Sequence, residues 1–131
     1  MAKIITLAHQ KGGVGKSTLA FNLAVCFQDQ LRVSIVDIDL QGSLCEIKDD
    51  NPSLNIISID QFNDIRLLDY DLVIVDTPPY LSNRLPELFH ISDYVLIPTK
   101  AGFFDVMAIR STIRLVNEAI IKNTKLKSGI V

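Results

Sequence analysis

The sequence predicts an α/β fold built on a mostly parallel sheet with helices on both faces. Short β-branched runs alternate with longer segments of helical periodicity along the 131 residues, a pattern typical of strand–helix–strand units. Hydrophobic residues make up 48 % of the chain, which fits two arrangements: strands buried on both faces, or a piece of a larger domain with a cut face. No repeat or linker divides the chain, so residues 1–131 are predicted to form one domain.

The strands are predicted from short apolar runs. The run "KIITLAH" opens the chain, and "DLVIVD" has four consecutive apolar residues before its last carboxylate, as expected for a central strand. The full set of predicted strands is 3–9, 32–39, 54–59, 71–76, 93–99 and 127–131.

The helices are predicted from periodicity. Residues 16–30 place leucine, phenylalanine and valine among alanines, and residues 104–123 form an amphipathic pattern. Residues 77–92 read as a loop followed by a short helix, with prolines in its first part.

Composition excludes several classes of protein. The formal net charge is −2, so the chain as a whole is not a basic nucleic-acid binder. No apolar run has the length of a membrane span, and "MAKIITLAHQ" lacks the pattern of a signal peptide. Cys26 and Cys45 have no metal or redox spacing, which predicts reduced thiols in a cytosolic protein, with Cys26 packed in the core.

The segment "KGGVGKST" at residues 11–18 predicts a phosphate-binding loop. Its end matches the pattern G-x-x-x-x-G-K-[ST] between a strand and a helix, although Gln10 stands where the pattern begins with glycine. Glycines let backbone N–H groups surround phosphate oxygens, and the following helix directs its positive end to the same place. Lys16 is expected to reach the β- and γ-phosphates, and the Ser17 hydroxyl to ligate Mg²⁺. The predicted nucleotide-binding residues are Gly12, Gly13, Val14, Gly15, Lys16, Ser17 and Thr18.

Carboxylates follow two of the predicted strands. Asp37 and Asp39 end one strand and project on the same side of it, at the edge where open α/β sheets place ligands. Asp76 ends another strand and is followed by Thr77 and two prolines, which make a stiff loop that could act as a switch. Phosphoryl transfer requires such groups to organise a metal and to position water.

These three motifs together resemble the ParA/MinD family of deviant Walker A ATPases. The resemblance rests on "KGGVGKST", on "SIVDIDLQGS", which is similar to the family's D-x-D-P-Q-G segment, and on "DLVIVDTPP". Gln10 before the first lysine resembles the ParA/Soj branch. Leu40 stands where the family usually has proline, which predicts a softer turn after Asp39.

The resemblance implies a role for each of these residues. Lys11 would reach across a dimer to the phosphates bound by the partner subunit, and Lys16 would hold the chain's own nucleotide. Asp39 would orient the attacking water, while Asp37 and Asp76 would support Mg²⁺, the latter through water. Family members continue beyond the matched region, so the chain is expected to be the N-terminal portion of a longer family domain.

The implied function is Mg²⁺-dependent binding and weak hydrolysis of ATP to ADP, which drives an ATP-dependent homodimer switch for plasmid or chromosome partition or related positioning. The implied partners are a ParB-like protein and, in the full-length protein, non-specific DNA, with no membrane. The implied location is the cytoplasm, with nucleoid association possible through that DNA. Two alternatives stay open: a non-catalytic nucleotide-gated interaction module, and a MinD-like membrane-positioning ATPase, against which Gln10 argues mildly.

Overall fold

The computed structural model describes residues 2–8, 16–38, 55–58, 62–78, 83–99 and 102–131. In these ranges the strands are β1 (Lys3–Leu7), β2 (Val33–Asp37), β3 (Asn55–Ser58), β4 (Leu72–Asp76), β5 (Tyr94–Ile97) and β6 (Lys127–Ile130). The helices are α1 (Lys16–Phe27), α2 (Leu85–Ile91) and α3 (Phe103–Lys122), with a 3-10 helix at Phe62–Leu67.

The six strands form one sheet in the order β3-β2-β4-β1-β5-β6, and each pair of neighbours is parallel. Every residue of β2 and of β4 is buried, because both faces of the sheet are covered at its centre. The predicted parallel sheet with helices on both faces is therefore confirmed.

The two faces carry different helices. On one face α1 packs over β2 and β4, with Ala20 and Ala24 against Ile35 and Ile74. On the other face lie the 3-10 helix, α2 and α3, whose buried side chains include Phe62, Phe89 and Val116. The small alanines let α1 approach the sheet closely, which brings its first turn near the strand ends.

The predicted boundaries need several corrections. Helix α1 ends at Phe27, and residues 28–30 form a turn where the sequence predicted further helix. The 3-10 helix was not predicted, because its six residues are too few to show a periodicity. Cys26 is exposed, so its predicted core packing is wrong: it lies two residues after Ala24, on the outward side of a helix with 3.6 residues per turn.

In the part of the chain that the structure describes, no helix is long and apolar enough to cross a membrane.

Candidate nucleotide and metal site

The carboxyl ends of β1, β2 and β4 meet at one edge of the sheet. The register pairs Leu7 with Asp76 and Asp76 with Asp37, so these three residues lie side by side. The Ile38 N–H donates to the Asp76 carbonyl oxygen at 3.1 Å and continues the pairing beyond the end of β2. The chain leaves β1 through α1 on one face and leaves β4 through α2 on the other. Open α/β sheets bind ligands at the point where the connections from two neighbouring strands leave on opposite faces of the sheet.

Asp37 and Asp76 are both buried, each with 1 % of its surface exposed. They occupy the same side of the sheet as Ile35 and Ile74, two residues earlier on their strands, and that is the side on which α1 packs. Carboxylates are rarely buried to this extent without a partner, a metal ion or another ligand. Their burial argues against a solvated pair of acids at the ends of two strands.

Ser17 joins the first turn of α1 to the end of β4. Its Oγ donates a hydrogen bond to Oδ2 of Asp76 at 2.6 Å, a short distance typical of a hydroxyl donating to a carboxylate. Because the hydroxyl hydrogen is directed at Asp76, the oxygen lone pairs of Ser17 can face a cation. The sequence predicted both residues as part of a metal site, and the structure brings them into contact.

Lys16 is the first residue of α1, and only 7 % of its surface is exposed. An ammonium group is seldom buried so deeply, and the start of a helix carries a partial positive charge of its own. The two positive contributions favour an anionic ligand at this position. Thr18 lies two residues after Lys16 and is also predicted to contact a phosphate. It is exposed in the first turn of the same helix.

Thr77 ties the end of β4 to the end of β1. Its Oγ1 donates to the carbonyl oxygen of Leu7 at 2.7 Å, and both residues are at most 2 % exposed. The sequence marks Thr77 only as part of a stiff loop, since no local pattern links two residues that lie 70 positions apart. Pro78, the next residue, is also buried.

The described residues offer oxygen ligands suited to Mg²⁺. Two carboxylates and one hydroxyl are hard donors, which magnesium prefers over nitrogen or sulfur. No group of three or more His, Cys, Asp and Glu side chains that could hold a metal occurs within the described ranges. Magnesium suits such a site, because it is usually held by one or two carboxylates together with the phosphates of its substrate.

Several predicted site residues lie outside the described residues. These are Lys11, Gly12, Gly13, Val14, Gly15 and Asp39, together with Gln10 and Leu40. The roles assigned to them, the catalytic role of Lys16 and the metal-binding roles of Ser17, Asp37 and Asp76 stay predictions.

The sequence matches the family described as the CobQ/CobB/MinD/ParA nucleotide binding domain over residues 5–131. The match covers far more than half of the chain, and the chain belongs to this family. The resemblance to ParA and MinD proteins that the three motifs indicated is thereby confirmed.

Individual relatives agree with this membership. The chain is 30 % identical over 138 aligned positions to "Maintenance of carboxysome distribution protein A" of Halothiobacillus neapolitanus, covering 97 % of this chain and 64 % of the relative. It is 26 % identical to the sporulation initiation inhibitor protein Soj of Bacillus subtilis, covering 96 % of this chain and 70 % of Soj. The chain thus spans less than two thirds of the carboxysome relative's length.

A crystal structure of a plasmid partition protein from Borrelia burgdorferi superimposes with a TM-score of 0.76 at 26 % identity, covering 98 % of this chain and 77 % of that one. The fold is therefore that of the ParA-like P-loop NTPases, as the phosphate-loop motif predicted.

Proposed function

We propose that the chain binds ATP with Mg²⁺ and hydrolyses it, and that the bound nucleotide controls a homodimer used in partition or positioning. The observation that carries the proposal is the 2.6 Å hydrogen bond from Ser17 to Asp76. It supports the proposal because it joins a hydroxyl in the first turn of α1 to a buried carboxylate, two oxygen groups of the kind that Mg²⁺ prefers.

In this proposal Lys16 and the first turn of α1 hold the phosphates. Lys16 contributes a full positive charge in a buried position, and the start of the helix adds a partial positive charge that favours a phosphate group. Gly12, Gly13, Val14 and Gly15 would complete the cradle with backbone N–H groups.

Ser17, Asp37 and Asp76 would hold Mg²⁺ beside the phosphates. Mg²⁺ held there would neutralise charge on the phosphate oxygens and so assist transfer of the γ-phosphoryl group from ADP to water. Asp76 orients the Ser17 hydroxyl through the observed hydrogen bond, and Asp37 lies next to it on β2. Asp39 would orient the attacking water, and Lys11 would contact the nucleotide of the second subunit.

The names of two relatives support a positioning role. One relative is named for carboxysome distribution and the Borrelia structure for plasmid partition. Both names describe distribution of a large object, so we propose that the dimer switch acts on such a cargo through a ParB-like partner in the cytoplasm. Non-specific DNA is a proposed partner of the full-length protein.

Calorimetry of ATP with Mg²⁺ tests the phosphate site. We expect the wild-type chain to bind and Lys16→Ala to lose about 100-fold in affinity, since hydrogen bonds to charged groups contribute about 1.5–3 kcal/mol. Lys122→Ala is the matched control, because Lys122 is exposed on α3, and it should bind as the wild type does. A folded wild-type chain that binds no nucleotide would contradict the proposal.

Turnover and dimerisation separate an ATPase from a binding module. An ATPase loses hydrolysis in both Lys16→Ala and Asp39→Ala, whereas a nucleotide-gated module loses function only in Lys16→Ala. Sedimentation with and without ATP should show a dimer in the wild type and a monomer in Lys11→Ala, which should still bind ATP. A dimer that forms equally well without nucleotide would refute the switch.

A further inference from the structure

The segment that runs from the last residue of β1 to the first turn of α1 contains the predicted phosphate loop, and both of its ends are hydrogen-bonded to consecutive residues at the end of β4. At the near end, the Leu7 carbonyl accepts from Thr77 at 2.7 Å; at the far end, the Ser17 hydroxyl donates to Asp76 at 2.6 Å. The chain from Leu7 to Ser17 is therefore closed into a ring by two short hydrogen bonds and one peptide unit.

We propose that Thr77 is a positioning residue that fixes the spacing between the phosphate loop and the metal-binding carboxylate. This inference rests on the proposed function, because it concerns the same nucleotide and Mg²⁺ site. By holding the end of β1 against the end of β4, the Thr77 hydroxyl sets where the phosphates lie relative to Asp76. Thr77 thereby couples the binding of Mg²⁺ to the binding of nucleotide.

The position of the hydrogen bond supports this role. Backbone pairing between β1 and β4 runs from Lys3 with Leu72 to Leu7 with Asp76, and the Thr77 side chain extends the connection one residue further. The next residue, Ala8, donates its N–H to the Leu96 carbonyl oxygen on β5 at 3.0 Å, and the predicted loop begins at Lys11. The Thr77 bond is buried, so water does not compete for the Leu7 carbonyl.

Preorganisation explains why such a link would affect binding. A site whose ligands are held in place before the substrate arrives loses less freedom on binding, and small displacements of such groups weaken binding and catalysis strongly. Residues that orient metal ligands typically change metal affinity or activity by about 10- to 100-fold when they are replaced.

Thr6 provides a matched control within the same sheet. Its hydroxyl is fully buried and lies 2.6 Å from the Ser92 hydroxyl, which in turn donates to the Leu88 carbonyl at 2.8 Å. Both Thr6 and Thr77 thus make a buried hydroxyl hydrogen bond, but the Thr6 bond leads to the end of α2 and not to the loop. Replacing Thr6 by valine removes a similar bond without touching either end of the loop.

The experiment measures ATP affinity by calorimetry with Mg²⁺ and with EDTA, beside the melting temperature, in the full chain. The ratio of the two affinities reports the coupling. We expect Thr77→Val to lower this ratio about tenfold and Thr77→Ser, which keeps the hydroxyl, to stay within about twofold of the wild type. Thr6→Val should lower the melting temperature as much as Thr77→Val does, with an unchanged ratio.

The outcomes separate this inference from the proposed function. An unchanged ratio in a folded Thr77→Val chain that melts lower would overturn the positioning role and leave Thr77 as a stabilising residue only. Absence of ATP binding by the wild type would instead refute the proposed function. If Thr77→Val does not fold, Thr77→Cys replaces the hydroxyl by a weaker donor of similar size, and an unchanged ratio there overturns the inference equally.

Discussion

The two ends of the sheet hold their charged side chains in different environments. At the carboxyl end, Asp37 and Asp76 are each 1 % exposed and Lys16 is 7 % exposed. At the amino end, the side chains of Arg32 and Asp71 are 60 % and 43 % exposed, and they form an ion pair with 3.3 Å between Nη2 and Oδ1.

The bonds at the amino end align the first residues of strands. Asp71, just before β4, accepts the Arg32 N–H at 2.9 Å, while Asp93, just before β5, accepts the Ile4 N–H at 2.8 Å. Each carboxylate thus satisfies a backbone donor of a neighbouring strand while it remains in contact with water. Such exposed pairs contribute little to stability and need no ligand.

Burial at the carboxyl end has a larger energetic cost. Taking a charged group out of water is unfavourable unless other charges or hydrogen bonds compensate it, and buried ion pairs are often no more stable than apolar replacements. Clustered buried charges in a cleft therefore suggest binding, whereas solvated ones suggest local order. From this difference we expect substitutions at the carboxyl end of the sheet to affect function, and substitutions at the amino end to affect stability.

The largest effect is expected for Asp76→Asn. The substitution keeps the size of the side chain and an acceptor for the Ser17 hydroxyl, but it removes the negative charge that the proposed Mg²⁺ site needs. We expect affinity for ATP with Mg²⁺ to fall by about 10- to 100-fold. The nucleotide-free chain should melt at the wild-type temperature or above it, because a buried charge has been neutralised.

Asp71→Asn is the matched control for that experiment. It makes the same chemical change at the exposed end of the same strand, and ATP affinity should equal that of the wild type. The comparison between the two ends fails if Asp76→Asn lowers the melting temperature and leaves ATP affinity unchanged.

An intermediate effect is expected for Asn123→Ala. The Asn123 Nδ2 lies 3.1 Å from the carbonyl oxygens of Phe89 and His90 and 3.0 Å from that of Ser92, at the end of α2. Removing this amide takes one donor from each of the three carbonyls, while Phe89 still accepts from the Ser92 N–H and His90 from the Arg66 guanidinium. The loss should cost about 1 kcal/mol in the free energy of unfolding. Urea denaturation measures that loss, and ATP affinity should not change.

Asn117→Ala on α3 controls for the loss of an asparagine as such. Asn117 is exposed within the helix, where alanine is the better helix former, so the free energy of unfolding should stay the same or rise slightly. Equal destabilisation by both substitutions would argue against the stabilising role of the Asn123 amide.

The sequence predicted the parts of the molecule that local patterns determine. Strand β4 follows from its apolar run and α3 from its periodicity. The resemblance to the ParA/MinD family assigned both Asp37 and Asp76 to Mg²⁺, and the two residues are paired in the register of β2 and β4. Contacts between distant residues could not be predicted in this way. The Thr77 bond to Leu7 and the Asn123 bonds to α2 depend on how α/β units pack, which one sequence does not reveal.

The smallest effect is expected for the pH dependence of the pair at the amino end. The hydrogen bond from the Arg32 backbone N–H, and then that from its guanidinium, lower the pKa of Asp71 below its usual value of 3.8. Because the folded pKa is the lower one, the stabilisation is present above pH 3.8 and is lost as the pH falls through the folded pKa. The melting temperature of Asp71→Asn should therefore lie slightly below that of the wild type near neutral pH. This gap between the two melting temperatures should close in acid, and it should narrow in high salt. A gap that persists at the lowest pH would mean that the carboxylate's charge has no part in holding β2 and β4 together at this end.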